Sequence, residues 1–292
     1  MRKYIKLIGI LGVAVALVVA VYVSTRPTSK PAEDKNAASS KQDAEKEAST
    51  QPAPTLDIEL QNSITAWAKN QNGNYGIAVK EFNGKQRYAN YQAEKQFVAA
   101  STYKLFVTYA ILHDIEQGNH TLGTQTSIGM TVSQCIDAML VRSNNDCGYP
   151  TGALIGWENL ANFIHQQGFT STNINNYDGS GNTTSADKIS SPKDQADFMV
   201  QLANGALLNQ EHTNLMLAKM KAQVWRERIP AGVPDGVEVA DKPGWLPGIQ
   251  NDTAVVYGPK STYVISIMST GTSSSKLAEL SQLIYEYLQP SS

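Results

Sequence analysis

Ser101-Thr102-Tyr103-Lys104 places a hydroxyl and an amine three residues apart. On a helix these positions share one face, one turn apart, so the lysine could take the serine proton and leave a nucleophilic oxygen. If Ser101 opens that helix, the unpaired N–H groups there also favour a developing oxyanion. Two other S-x-x-K elements occur, Ser185 to Lys188 and Ser273 to Lys276. The first lies in a polar, glycine-rich loop and the second starts a surface-type helix, where a capping serine and a solvated lysine suffice. Only Ser101 leads into a segment, Leu105 to Leu112, that is apolar nearly all round and therefore predicted to be buried. A lysine one turn into such a helix needs a chemical reason.

Two further elements follow in order: Ser143-Asn144-Asn145, at a break between helical patterns, and Lys242-Pro243-Gly244, at the predicted end of a strand. Alone, each reads as a capped turn and a strand terminator. Together with Ser101 and Lys104 they resemble the S-x-x-K, S-D-N and K-T-G signature of the class A β-lactamases and penicillin-binding proteins. The resemblance extends over about residues 56–288. It includes Met130-Thr131-Val132 leading to Met139 and Ser143, Ala231 to Gly236 with Val239 to Lys242, and Asn251 to Val256. It implies that Ser101 attacks a carbonyl and is acylated, with Lys104 as proton acceptor or electrostatic support. It further implies that Ser143 passes a proton to the leaving nitrogen, Asn145 binds the substrate amide, and Lys242 attracts the substrate carboxylate. Gly244 would let the substrate lie close, and the N–H groups of Ser101 and Trp245 would form the oxyanion hole.

The chain departs from that pattern in three places. Asn144 replaces the aspartate of S-D-N, an exchange expected to matter little. Pro243 replaces the threonine of K-T-G, removing a hydroxyl and a backbone donor that must then face away from any partner strand. No glutamate lies between Glu158 and Glu211, where the class A enzymes carry the E-x-x-x-N residue that holds the deacylating water. Tyr177-Asp178-Gly179-Ser180-Gly181-Asn182 offers D-x-x-x-N instead, which makes Asp178 and Asn182 candidates for deacylation. The competing reading is a glycine-rich turn in which the aspartate caps its own backbone.

The elements that must position these residues are legible in outline. Leu56 to Asn70 suits an amphipathic helix. Tyr75 to Phe82 and Gln86 to Tyr91 flank Asn83-Gly84 as a β-hairpin. Helical patterns occupy Val132 to Val141, Trp157 to Gln167, Pro192 to Ala203 and Asn209 to Gln223, with a polar loop from Asn173 to Ser191. Strand patterns return at Val237 to Lys242, Thr253 to Tyr257 and Tyr263 to Met268, before a last helix from Ser275 to Leu288. The expected architecture is a mixed α/β sandwich. Its antiparallel sheet is built from both chain ends and flanked by helices, and an all-helical lobe is inserted between them. The join between lobes is a natural cleft.

The 292 residues divide into a basic stub (1–6), an apolar run (7–23), a tether (24–54) and this folded body (55–292). Leu7 to Val23 as a helix spans about 25 Å against a hydrocarbon core of about 30 Å. With Arg2, Lys3 and Lys6 in front, it reads as a single-pass signal-anchor, or a cleaved signal peptide, that puts the body outside the cytoplasm. The tether, rich in Ser, Ala, Lys, Glu, Gln and Pro, cannot bury a core. The body is net acidic, with no Lys/Arg stripe, so nucleic acid is not expected as a partner. His113, His120, His165 and His212 fall in no metal-ligand spacing, so neither metal nor cofactor is expected. Cys135 and Cys147 bracket the Ser143 loop and read either as a disulfide or as two buried thiols. Trp67 and Trp225 read as packing residues, and Trp245 as a wall of the cleft. The expected protein is a monomer acting on a small β-lactam or a peptidoglycan peptide, touching the membrane only through its N-terminal helix. The alternatives are a penicillin-binding D,D-peptidase or a sensor that acylates without turnover.

Overall fold

The computed structural model describes residues 54–174 and 188–290. The expected span at 7–23, the tether, and Asp178 and Asn182 lie outside these residues. Among the described residues no helix is long and apolar enough to cross a membrane.

Six strands form one sheet: β1 (Thr55–Leu56), β2 (Asn74–Asn83), β3 (Arg87–Tyr91), β6 (Glu238–Leu246), β7 (Ile249–Tyr257) and β8 (Thr262–Thr270). Their spatial order is β1-β3-β2-β8-β7-β6, antiparallel except for the short β1–β3 pair. Both chain ends therefore contribute, as the strand patterns imply, and β2 sits between β3 and β8. Two short strands outside this sheet, β4 (Phe97–Val98) and β5 (Ile189–Ser190), pair with each other.

Alternation along the strands separates two cores. Ile77, Val79, Val239, Ala254, Val256, Ile265 and Ile267 face one side. There they pack with Leu60, Ile64 and Trp67 of α1 (Ile58–Lys69) and Leu277, Leu280 and Ile284 of α8 (Ser274–Leu288). Ala78, Ala240, Val255, Val264 and Met268 face the other side, against the helical lobe. That lobe holds α2 (Lys104–Glu116), α3 (Val132–Val141), α4 (Asn145–Ile155), α5 (Trp157–Gln166), α6 (Pro192–Ala203) and α7 (Gln210–Lys221). Helix α2 runs through its centre, with every residue from Lys104 to Leu112 buried, as its unbroken apolar pattern requires.

Four local expectations need correction. Ser101 does not open an α-helix: it lies in a 3₁₀ turn (Ala100–Tyr103), and α2 begins at Lys104. Helix α4 was hidden by Gly148, Pro150 and Gly152, which break a helical pattern but here serve close packing. A Cβ at Gly148 would strike the Tyr103 hydroxyl, and one at Gly152 would stand 2.6 Å from the Trp157 ring. Strand β6 does not end at Lys242-Pro243-Gly244 but runs through it to Leu246. Proline is tolerated because β6 is the edge of the sheet, so its missing N–H faces away from β7. Finally, Trp225 does not pack inside: it is 41% exposed.

Candidate active site

Residues 99–104 are fixed by contacts that do not involve the serine itself. The Asn251 amide on β7 donates to the carbonyls of Val98 (2.8 Å) and Ala99 (3.0 Å), and its oxygen accepts from Ser269 N (3.0 Å). Thr102 Oγ1 donates to Ala99 O (2.8 Å) and accepts from Gln195 Nε2 (3.1 Å). Ala99 N donates to Lys188 O (2.7 Å). Gly244 packs its backbone onto the same turn: a Cβ there would stand 2.8–2.9 Å from Thr102 N, Ala99 O and Ser101 N. Gly244 is therefore needed for the meeting of strand and turn. The close fit puts the Ser101 amide beside β6, one residue before Trp245.

Lys104, fully buried, donates from Nζ to Ser101 Oγ (3.0 Å), Ser143 O (2.7 Å) and Asn145 Oδ1 (2.7 Å). Lys242, also fully buried, donates to Ser143 Oγ (2.8 Å) and to its own strand at Pro243 O (2.7 Å). Ser101, Lys104, Ser143, Asn145 and Lys242 thus converge from the 3₁₀ turn, α2, the α3–α4 turn and β6, and Gly244 adjoins them. Trp245 follows, half-buried, its ring 5.5 Å from that of Trp225. Ser101 keeps 8% exposure, so a substrate can reach it.

Burial lowers the Lys104 pKa to about 7, only partly offset by the Asp146 carboxylate. A substantial neutral fraction at neutral pH fits it to accept a proton. Burial also pushes Lys242 well below its usual range, with the nearby Lys104 charge adding to the effect.

The backbone is strained where the chemistry would occur. Ala100, directly before Ser101, has φ +46°, and Ser143 has φ +57°, in the left-handed region disfavoured for residues with a Cβ. Asn144 fills the aspartate position of the S-D-N pattern by capping α4, its Oδ1 accepting from Cys147 N (3.2 Å). Asparagine and aspartate cap equally well, which explains the exchange. Cys135 of α3 and Cys147 of α4 are joined as a disulfide, Cα atoms 5.0 Å apart, so the two-thiol reading is wrong.

Asp178 and Asn182 lie outside the described residues, but residues on either side of that segment are tied together. Asn173 and Ile189 exchange both backbone hydrogen bonds at 2.9 Å. Thr172 Oγ1 meets Ser190 Oγ (2.8 Å) and donates to Asp194 (2.9 Å). The Lys188 ammonium is buried against the rings of Trp157 (4.5 Å), Tyr103 (5.2 Å) and Tyr149 (5.2 Å). Sequence reasoning missed Asn251, Gln195 and Lys188 as positioning residues. The only signal was a polar Asn251-Asp252 pair opening an otherwise apolar strand.

The family model described as the beta-lactamase enzyme family matches residues 59–288. The chain belongs to that family. Beta-lactamase 3 of Bacillus cereus is 28% identical over 224 residues, covering 69% of this chain and 71% of that protein. Among solved structures, a variant of PBP-A in an acyl-enzyme complex with penicillin G aligns with a TM-score of 0.75 at 19% identity, over 81% of this chain and 98% of that one. An ancestral class A β-lactamase aligns with a TM-score of 0.70 at 22% identity, over 78% of this chain and 99% of that one. These likenesses agree with the observed fold: one sheet carrying Lys242 and one helical lobe carrying Lys104 and Ser143. The protein is a β-lactamase-like serine hydrolase by family, and the penicillin-binding-protein branch of the superfamily is equally compatible with its fold.

Proposed function

We propose that this chain hydrolyses β-lactam amides, or related amides of peptidoglycan peptides, through an acyl-Ser101 intermediate. The observation that carries the reading is the continuous set of contacts from Ser101 Oγ through Lys104 Nζ to the Ser143 backbone, and from Ser143 Oγ to Lys242 Nζ. In this scheme neutral Lys104 takes the Ser101 proton as the oxygen attacks the carbonyl carbon. The amides of Ser101 and Trp245 hold the oxyanion. Ser143, its hydroxyl fixed by Lys242, delivers a proton to the departing nitrogen. Asn145 steadies Lys104 and the substrate amide, and Lys242 attracts a substrate carboxylate. Asp178, with Asn182, activates the water that frees the acyl group. An aspartate is one methylene shorter than the glutamate of the class A pattern, and about 1 Å of misplacement costs roughly 10²-fold in rate. Slow deacylation is the expected outcome.

Time-resolved intact-mass measurement with a penicillin tests the scheme, with Ser101→Ala and Asp178→Asn run beside the parent. The expected result is an adduct that forms and decays in the parent, persists in Asp178→Asn and is absent in Ser101→Ala. A permanent adduct in the parent removes the role given to Asp178. It would favour a second reading, a penicillin-binding D,D-peptidase or non-turnover sensor, which the absent glutamate and the likeness to PBP-A support. We also propose that residues 7–23 anchor the protein as a monomer on the outer side of the cell membrane. Recovery of the full-length chain in a carbonate-washed membrane fraction, intact at its N-terminus, is the expected result; a soluble, shortened chain would mean cleavage.

A further inference from the structure

Residues 223–225 lie along the end of α3 and occupy three successive carbonyls just before Ser143. Gln223 Nε2 donates to Leu140 O (2.5 Å), Val224 N to Val141 O (3.0 Å) and Trp225 Nε1 to Arg142 O (3.2 Å). The Gln223 oxygen in turn accepts from Val224 N (2.9 Å) and Trp225 N (3.1 Å). So firm an anchorage makes it notable that the side chains point outward: Val224 is 54% and Trp225 41% exposed, two of the few large apolar groups left in solvent among the described residues. The Trp225 ring meets Trp245 edge to face at 5.5 Å, and the Arg228 guanidinium lies 4.8 Å from the Trp245 ring. Arg228 is held there by Gln250 Oε1, which accepts from its Nε (3.0 Å) and from a terminal nitrogen (2.8 Å).

The two indoles meet beside two elements of the site, Trp225 bonded to Arg142 O one residue before Ser143 and Trp245 following Gly244 on β6; in the scheme above Ser143 and Lys242 serve the departing nitrogen. We propose that Trp225 and Trp245 form an aromatic platform that selects substrates carrying a planar apolar substituent on the leaving-group side of the scissile amide. This rests on the acyl-serine reading above and adds a substrate preference to it. Indole faces and edges receive flat rings in offset or edge-on contact, which amounts to a preference of about tenfold per contact. The Arg228 guanidinium lies over the Trp245 ring and is itself paired with the Glu227 carboxylate at 3.5 Å. Trp225 contributes through its ring, whereas Trp245 contributes its ring here and its backbone amide to the oxyanion hole.

The test uses two cephem β-lactams with the same acylamino side chain, one bearing a vinyl-linked aryl group on the six-membered ring and the other a methyl group. In the parent the second-order acylation rate should favour the aryl compound by about tenfold. Trp225→Ala should collapse that ratio because the aryl compound loses far more than the methyl compound. Trp225→Phe, which keeps a ring but not the hydrogen bond to Arg142, should retain most of it. A ratio unchanged in Trp225→Ala, or lost equally in Trp225→Phe, would overturn the proposal and leave Trp225 as a brace for the Ser143 turn. Calorimetric binding of both compounds to Ser101→Ala, with and without Trp225→Ala, reads the platform without chemistry. If the parent acylates with neither compound the hydrolase reading fails, yet this binding arm still decides whether the aryl preference depends on Trp225. A dimer in sedimentation that disappears with Trp225→Ala would instead make the patch a contact between copies and would also overturn the proposal.

Discussion

Lys104 is the residue on which acylation should turn. Its pKa near 7 means that it is charged, and unable to accept the Ser101 proton, at lower pH. The acylation rate should therefore fall about tenfold per pH unit below 7 and level off above it, read as the second-order rate of adduct formation from pH 5 to 9. A rate independent of pH over that range would remove Lys104 as the base. Lys104→Arg, always protonated, should lower acylation by about 10²–10⁴-fold while leaving the fold intact by circular dichroism. Ser101, Lys104, Ser143 and Lys242 were legible in the sequence because each stands in a short motif whose spacing has a mechanical meaning. Asn251 and Gln195 were not, because Asn251 catches backbone carbonyls and Gln195 the Thr102 hydroxyl, all far away in the chain, and no local pattern announces such a partner. Lys188 was seen only as part of an unremarkable S-x-x-K, since its setting depends on rings contributed by three other segments.

At the scale of elements, the site depends on how closely β6 meets the 3₁₀ turn and on how the α3–α4 turn is closed. Gly244→Ala would force backbone atoms of Ala99, Ser101 and Thr102 away from the strand. It should cost about 1–3 kcal/mol of stability in denaturant titration and reduce acylation disproportionately. The Cys135–Cys147 bridge closes a short loop that contains Ser143 and Asn145. Its removal in the paired Cys135→Ala/Cys147→Ala variant should cost about 3 kcal/mol. Thermal unfolding of the variant against the parent checks this, and an unchanged midpoint would refute it. The hydrophobic periods of α1, α3, α5, α6, α7 and α8 and the unbroken apolar run of α2 identified these helices correctly. Helix α4 escaped because Gly148, Pro150 and Gly152 suppress the local pattern, and only contact with Tyr103 and Trp157 makes those residues appropriate. The continuation of β6 through Pro243 was missed for a related reason: whether proline ends a strand depends on whether the strand lies at an edge, which is a property of the whole sheet.

The whole molecule balances on a sheet with a different core on each face, and Asp241 and Asp252 occupy the face opposite Lys242. Burial raises both carboxyl pKa values, that of Asp252 to about 6, with the mutual repulsion of the pair adding to the rise of Asp241; Arg226, Arg228 and Lys242 oppose the shift. A raised carboxyl pKa means that the folded state holds its proton more tightly than the unfolded chain. Protonated Asp252 therefore stabilises the fold at low pH, and this contribution is lost as pH rises through the window from about 4 to 6. Asp252→Asn cannot ionise, so its melting temperature relative to the parent should improve between pH 4.5 and 7.5; a gap independent of pH would contradict the assignment. The sandwich class and the contribution of both chain ends were readable from the order of strand and helix patterns, whereas the allocation of each face to its own core required the register. That register has a temporal side. Asn74 of β2 pairs with Thr270 of β8, so the centre of the sheet joins segments at nearly opposite ends of the body. During synthesis, β2 and its hairpin partner must wait with their apolar residues unsheltered until almost the entire chain has emerged. Such a topology folds late and slowly, and it suits a polypeptide that can be passed along as an unfolded thread before it assembles.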